Sequence, residues 1–403
     1  MFHSKNMEIK RIYIFALAAH GQGLSGGDRI FIEFARRWSK FCKINLWVWK
    51  EGYELCKRQH LSVSSINYFV SSMKPWGNFG FLINYLARIV EGIRVGLTVN
   101  LENQPSTIIY SASEFWMDSI PGWILKLRFP KIKWVAAWFQ TAPYPWRGFS
   151  EGSRENRYMF KALLYWLVQL PIKPAIDNFA DYVLVNNISE KRQFNRLERK
   201  DRAIVVLGAI DLQTTERYKR IYKKIEKKYD GVFQGRFHPQ KGVLELIDIW
   251  KIVVSKKTDA RLVMIGDGPL MESAQCKVQS AKLENNVILK GYMFDGEEKY
   301  KIFSQSKLVL HPSFYDSGGM ASAEAMAFGL PCIGFDLDSY KSYYPKGIIK
   351  VGIGNLEEFA NVVISLLNDQ LMRNRIGAEG LDMIKKNWSW DKRAKEIFNE
   401  IHR

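Results

Sequence analysis

The chain has 403 residues, 47% hydrophobic and 14% aromatic, with 59 Lys and Arg against 41 Asp and Glu, a formal net charge of +18. That length suggests about two domains, each able to bury a core, and the basic excess points to anionic partners: phosphorylated substrates, anionic lipid or nucleic acid. Cys42, Cys56, Cys276 and Cys332 have neither metal nor redox spacing, which fits a reduced, cytosolic compartment, and no uncharged apolar run approaches the roughly 20 residues of a membrane span. Residues 1–10 are polar, and 12–19 are too short and lack a cleavage pattern for a signal peptide, so the chain reads as soluble or peripheral.

In chain order, residues 11–18 form a buried first strand, 20–29 a glycine-rich loop, and 30–38 a helix with Ile30, Phe31, Phe34, Ala35 and Trp38 on one side. The loop matches neither the dinucleotide fingerprint nor a P-loop; Gly26 and Gly27 either admit a ligand to the backbone or form a tight βα turn. Further strands read at 44–49, 107–110, 134–139, 182–185 and 204–207, with helical stretches such as 81–97 between them. Strand and helix alternating over about 200 residues means a doubly wound parallel sheet.

Two stretches stand out. Residues 120–138 interleave Trp123, Leu125, Phe129 and Trp134 with Lys126, Arg128, Lys131 and Lys133, and residues 157–173 are nearly all apolar with basic ends. Aromatic and cationic side chains together favour an anionic membrane surface, while the length of the apolar run at 160–170 favours a buried core helix. No RRM, KH, zinc or helix-turn-helix signature accompanies them, so nucleic acid is not an expected partner.

The first domain ends at 208–211. Residues 215–229 read as a short basic helix with a solvated face, and a second alternating α/β domain follows, with strands at 231–236, 261–265 and 287–289. Arg236 and Lys241 sit on the loop after its first strand, where two cations can clamp a diphosphate. The densest stretch is 307–336: an apolar strand at 308–310, a loop with Gly318 and Gly319, a helix at 321–328 stopped by Gly329 and Pro331, and another strand from Cys332. Backbone amides and a helix start at the carboxyl edge of a parallel sheet attract phosphate, while Asp316 and Glu324 accept hydrogen bonds from hydroxyls. The combination suits a nucleotide-sugar.

These residues carry a resemblance. G-R-F-x-x-x-K-G at 235–242, I-G-D-G-P at 265–269 and D-S-G-G-M-A-S-A-E-A-M-A-F-G-L-P at 316–331 resemble the retaining GT-B glycosyltransferases of family four, and W-S-W-D-K-R-A-K-E-I-F at 388–398 resembles the closing helix of that family. The resemblance implies two Rossmann-like domains facing a cleft: an acceptor-side domain over 1–210, a basic linker over 211–229, a nucleotide-sugar domain over 230–387, and a helix over 388–403 returning to the first. Arg236 and Lys241 would hold the diphosphate, the backbone at Tyr292 and Met293 the base, and Glu324 the ribose. Asp316, Gly318, Gly319 and Met320 would line the sugar and its phosphate, and Gly26 and Gly27 would approach the diphosphate. No metal or other cofactor is implied.

Three positions depart from the family pattern: Asp316 stands where glutamate is usual, Gly318 where an aromatic is usual, and Gln140 where many members carry a histidine. Glutamine cannot act as a base but can hydrogen-bond a sugar hydroxyl, which fits front-face retention with the leaving phosphate taking the acceptor's proton. The expected activity is a metal-independent hexosyltransferase working at the cytoplasmic face of an anionic membrane, on a lipid-linked or envelope-glycan acceptor. The alternatives are a nucleotide-sugar epimerase, for which His20, His238 and His311 are the histidines near sheet edges, or a non-catalytic glycan- or nucleotide-binding protein.

Overall fold

The structure is a computed structural model and describes residues 11–19, 23–71, 80–150, 156–194 and 202–402, so that His20 lies outside the described residues. It divides into two compact units, Met1–Ala142 with Leu164–Val206 and Trp390–Arg403, and Pro143–Leu163 with Leu207–Ser389.

The first unit is a seven-stranded parallel sheet. Its strands are β1 (Arg11–Ala16), β2 (Lys43–Trp49), β3 (Ile66–Ser71), β4 (Thr107–Ser111), β5 (Lys133–Trp138), β6 (Tyr182–Val185) and β7 (Ala203–Val205), in the order β3-β2-β1-β4-β5-β6-β7. The central strands are apolar on both sides because helices cover both faces. Tyr13, Phe15, Ile109, Trp134 and Val183 face the helices Phe81–Thr98, Trp116–Arg128 and Ile172–Phe179. On the other face lie Gly26–Trp38 and the C-terminal helix Trp390–Glu400, where Trp38 Nε1 donates to Ala394 O at 3.0 Å and Trp390 meets Phe34 edge-on.

The second unit is a six-stranded parallel sheet of β8 (Tyr229–Gln234), β9 (Leu262–Ile265), β10 (Val287–Leu289), β11 (Ser306–His311), β12 (Cys332–Phe335) and β13 (Ile348–Val351), in the order β10-β9-β8-β11-β12-β13. Helices Val243–Lys256 and Leu356–Asn368 close one face around Trp250 and Phe335; Glu297–Ser304 and Met320–Met326 close the other around Tyr300, Phe328 and Tyr340.

Several sequence expectations change. The boundary falls at 206/207 rather than 210, and residues 211–229 are no free linker. Ile210 N–H donates to Trp388 O at 3.0 Å, and Tyr218 of helix Leu212–Ile221 lies 5.1 Å from Tyr300, so the apolar side of this basic stretch joins the second unit's core. Residues 143–163 also fold with the second unit, where Phe149 packs edge-on against His238 and Tyr315. Residues 120–138 are no aromatic–basic surface: Leu125, Trp134 and Trp138 are fully buried, because the stretch is half helix and half central strand. The helix Met159–Gln169, whose length favoured a core reading, instead exposes Phe160, Leu164 and Leu167.

Candidate functional site

In the second unit the strand order reverses direction between β8 and β11, the switch point outside whose carboxyl ends doubly wound sheets bind their ligands. The loop after β8 carries Arg236 and Lys241, and the loop after β11 carries Asp316, Gly318 and Gly319. The two are joined by Phe314 N–H donating to Gln240 O at 2.9 Å. They touch so closely that a Cβ on Gly242, in the left-handed region at φ 65°, would lie 1.9 Å from Pro312 O. Beyond them, Gly266 N–H donates to Gly291 O at 2.8 Å, which sets Tyr292 and Met293 beside the β9 edge.

Asp316 is the hub of this loop pair. Its Oδ2 receives Lys241 Nζ at 2.5 Å, Tyr340 Oη at 3.1 Å and stands 3.1 Å from His311 Nε2. Burial pushes its carboxyl up, but the Lys241 ammonium and the His311 hydrogen bond outweigh it and hold Asp316 well below the usual carboxylate range. His311 is itself buried, which lowers its pKa and keeps it a neutral partner. The structure therefore places Asp316 as an anchor for Lys241 and the glycine loop. An ammonium has three donors, so the bond to Asp316 leaves Lys241 others to offer, and Arg236 on the same loop is exposed with no ion pair among the described residues.

The glycines have separate reasons. Gly319 takes φ 66° at the start of helix Met320–Met326, and its carbonyl accepts from Tyr344 Oη. At Gly318 a Cβ would lie 2.2 Å from Tyr343 Cζ: the aromatic group comes from the neighbouring helix Asp338–Tyr343 instead of from position 318. Met320 opens the helix and lies against Gly208, where a Cβ would be 2.2 Å from Met320 Cγ. That helix has 7 residues, shorter than the 321–328 expected.

Glu324 faces the same edge and is held from two sides. Gln234 Nε2 donates to its Oε2 at 2.9 Å, and Lys299 Nζ at 2.8 Å. Lys299 is fully buried and also pairs with Asp295. Neither Lys299 nor Gln234 was singled out from sequence. In E-E-K-Y-K-I-F-S, Lys299 looks like one more charge on a solvated face. The available signal was its position four residues after Asp295 and four before Phe303, on the buried side of the helix.

The first unit carries its own polar edge. Gly26 and Gly27 open helix Gly26–Trp38, capped by Ser25 and Asp28 in a reciprocal box, with Gly27 against the Phe139 ring. The carbonyl of Gln140 accepts from Tyr165 Oη at 3.2 Å and Gln169 Nε2 at 2.8 Å, while the amide Nε2 of Gln140 is buried with no hydrogen-bond partner among the described residues. Glu114 accepts from Tyr165 Oη at 3.0 Å and from Phe139 N–H at 3.3 Å. Burial pushes its pKa up to about 7 against the pull of these bonds. Sequence reading passed over Glu114, whose isolated position after β4 carries no motif.

Comparison with known proteins follows the same lines. The family model "Glycosyl transferases group 1" matches residues 214–383. A poly(glycerol-phosphate) α-glucosyltransferase of Bacillus subtilis is 25% identical over 40% of this chain and 24% of its own length, and a poly(ribitol-phosphate) α-N-acetylglucosaminyltransferase of Staphylococcus aureus is 25% identical over 41% and 34%. The chain thus spans about a quarter to a third of these relatives. A crystal structure of S. aureus TarM with UDP, α-GlcNAc-glycerol and fondaparinux superimposes with a TM-score of 0.71 over 98% of this chain and 100% of that one, at 12% identity, a likeness of fold. Two Rossmann-like units and the switch-point loops give the chain the GT-B fold, and residues 214–383 of it match the glycosyl transferases group 1.

Proposed function

We propose that the protein transfers a hexosyl group from a nucleoside-diphosphate sugar to a hydroxyl of an envelope glycan, a lipid-linked glycan or a polyol-phosphate chain, with retention of configuration. The observation that carries this reading is the meeting of the Arg236–Lys241 loop with the Gly318–Gly319 loop at the β8/β11 switch point. Arg236 and Lys241 bind the diphosphate as charge-assisted donors, Glu324 accepts from the ribose, and the backbone at Tyr292 and Met293 meets the base. UDP in the TarM complex supports a uridine donor, and the two polyol-phosphate relatives support a polyanionic acceptor, which a chain of net charge +18 attracts.

In the reaction the bond from the anomeric carbon to the β-phosphate oxygen breaks as the bond to the acceptor oxygen forms on the same face. The acceptor's proton passes to the leaving phosphate oxygen. The two cations stabilise the charge that develops on that phosphate, so the step runs without a metal ion. The amide of Gln140 donates to a sugar hydroxyl. The enzyme works at the cytoplasmic side of an anionic membrane; no described helix is long and apolar enough to cross one.

The test is a screen of nucleotide-sugars for hydrolysis and for transfer to glycerol-phosphate and ribitol-phosphate oligomers, with and without EDTA. Product with retained anomeric configuration is expected; conversion of the donor to its epimer without acceptor would replace the reading by an epimerase. Arg236→Ala with Lys241→Ala should weaken nucleoside-diphosphate binding by roughly 2–5 kcal/mol in calorimetry, the scale for removing one side of a buried charge pair. Unchanged binding would leave the diphosphate clamp without support.

A further inference from the structure

We infer that the stacked rings of Tyr144 and Trp146, with Arg147 beside them, form a subsite for one pyranose ring of the acceptor glycan. This subsite rests on the function proposed above, which supplies the glycan, and goes beyond it in placing one of the glycan's sugar units. Tyr144 and Trp146 are 52% and 63% exposed, yet their rings lie nearly parallel, at 12° with 4.8 Å between centroids. The turn that carries them is stiff. Pro143 and Pro145 have fixed φ, and Pro145 also restricts Tyr144 to extended backbone. Arg147 N–H and Gly148 N–H both donate to Tyr144 O, at 2.9 and 3.1 Å. Gly148 takes φ 64°, where a Cβ would stand 1.9 Å from Arg157 O, and Phe149 N–H donates to that same carbonyl at 2.9 Å. Rings already stacked on a fixed turn lose little freedom when a ligand settles on them.

The place of this turn in the second unit selects its occupant. Phe149, three residues after Trp146 and only 3% exposed, packs edge-on against His238 and Tyr315. His238 lies between Arg236 and Lys241, and Tyr315 precedes Asp316, so the turn is seated on the loops after β8 and β11. Three residues span at most about 11 Å, which keeps Trp146 near those loops. The donor's base, at Tyr292 and Met293, belongs to the edge of β9 and β10, on the other side of β8 in the order β10-β9-β8-β11. The rings then stand toward the sugar end of the donor, from which the acceptor comes. Within residues 143–150 the exposed apolar surface is confined to these two rings and part of Pro145, because Pro143, Gly148 and Phe149 are buried. That area suits one sugar ring and is far too small for a protein interface. The face of an aromatic ring is electron-rich, and one face of a pyranose presents weakly positive C–H groups rimmed by hydroxyls. Arg147 is exposed, 6.0 Å from the Tyr144 centroid, with no ion pair among the described residues, so its N–H groups are left to donate to those hydroxyls.

Short oligomers of glucose, N-acetylglucosamine and mannose are titrated into the full chain by calorimetry, beside UDP and glycerol-phosphate oligomers, which have no pyranose face. At least one sugar oligomer is expected to bind. Its affinity should fall about tenfold or more for Tyr144→Ala with Trp146→Ala and stay within about threefold of the parent for Trp146→Phe, which keeps a ring face. Phe160→Ala removes an exposed ring of the helix Met159–Gln169, outside the pair, and should bind the oligomer as the parent does. In transfer assays the loss appears in the KM for the acceptor and not in kcat. Both positions are exposed, and a melting temperature equal to the parent's confirms that the double variant folds. If no sugar oligomer binds, or the double variant binds it as tightly as the parent, the subsite is refuted, while transfer from a nucleotide-sugar would still uphold the proposed function. If glycan binding and its loss are seen but no nucleotide-sugar is turned over, the transferase reading falls and the sugar site stands. A double variant that weakens UDP as much as glycan would assign the rings to the nucleobase, and one that weakens glycerol-phosphate as much as glycan would assign them to the polyanion; either result overturns the subsite.

Discussion

Lys299 offers the sharpest test of how the site is held together. Replacing it by methionine keeps the length of the side chain and removes the charge. The side chain is 2% exposed, and its ammonium serves two carboxylates, Glu324 at 2.8 Å and Asp295. Taking one partner from a buried ion pair costs about 3–5 kcal/mol, because the remaining charge stays in a medium that solvates it poorly. Glu324 keeps its bond from Gln234, and Asp295 can draw water, with 23% of its side chain exposed, so the expected loss is about 2–4 kcal/mol. For a unit of this size that is a fall in Tm of roughly 5–15 °C, read by calorimetry on the full chain. A double-mutant cycle with Glu324→Gln should show a coupling above about 1 kcal/mol, because the second change neutralises the carboxylate the first one strands. UDP titration reports the functional side: with Glu324 no longer aimed, binding weakens. A Lys299→Met protein that melts within about 1 °C of the parent, with no coupling in the cycle, would refute the reasoning.

Two further predictions concern local contacts. The pKa of Glu114, raised to about 7 by burial from 4.5, makes the folded state bind its proton more tightly than the unfolded state. Its contribution to stability is therefore complete below about 4.5 and is lost as pH rises through about 7. Urea unfolding followed from about pH 4 to about pH 8 should show this decline in the parent and a reduced one in Glu114→Gln. Gly318→Ala should cost about 1–3 kcal/mol, since its Cβ would overlap the Tyr343 ring, and almost nothing when introduced on top of Tyr343→Ala. Denaturant midpoints of the four proteins decide it, and additive losses would place the strain elsewhere.

The departures from the family pattern make physical sense together. A residue with a side chain at 318 would have no room, because Tyr343 already occupies that space and receives Gly208 N–H on its hydroxyl at 3.2 Å. Asp316, shorter by one methylene than the usual glutamate, is drawn into a cage of Lys241, His311 and Tyr340 and spends its oxygen there. Position 316 in this chain thus orients Lys241. Among the described residues, the amide of Gln140 is one of several buried first-unit donors with no hydrogen-bond partner, beside Tyr110 Oη, Trp123 Nε1 and Trp390 Nε1.

Much of this was legible in the chain itself. Apolar runs such as Leu308 to Leu310, broken by glycine pairs and followed by Ala- and Glu-rich turns, read as parallel strands feeding helices, and the sequence set Arg236, Lys241, Gly318 and Gly319 after two such strands, whose loops the structure brings into contact. β3 escaped notice because it is an edge strand, exposing Asn67, Phe69 and Val70, and so shows neither alternation nor a continuous apolar run. Residues 120–138 misled because indole rings beside lysines look the same in a core strand as on a membrane surface until the sheet order puts Trp134 and Trp138 in the middle.

Local periodicity, then, gave most of the strands and helices and the loops that follow them, since those depend on neighbours a few residues apart. The order of the strands, the burial of Lys299 beneath Glu324, the Tyr343 ring in the space beside Gly318 and the outward turn of Leu86 and Val90 depend on groups distant in sequence, such as Gly92 on Met117 or Lys299 on Glu324. Such contacts leave no periodic trace in the chain, so only the tertiary structure decided them.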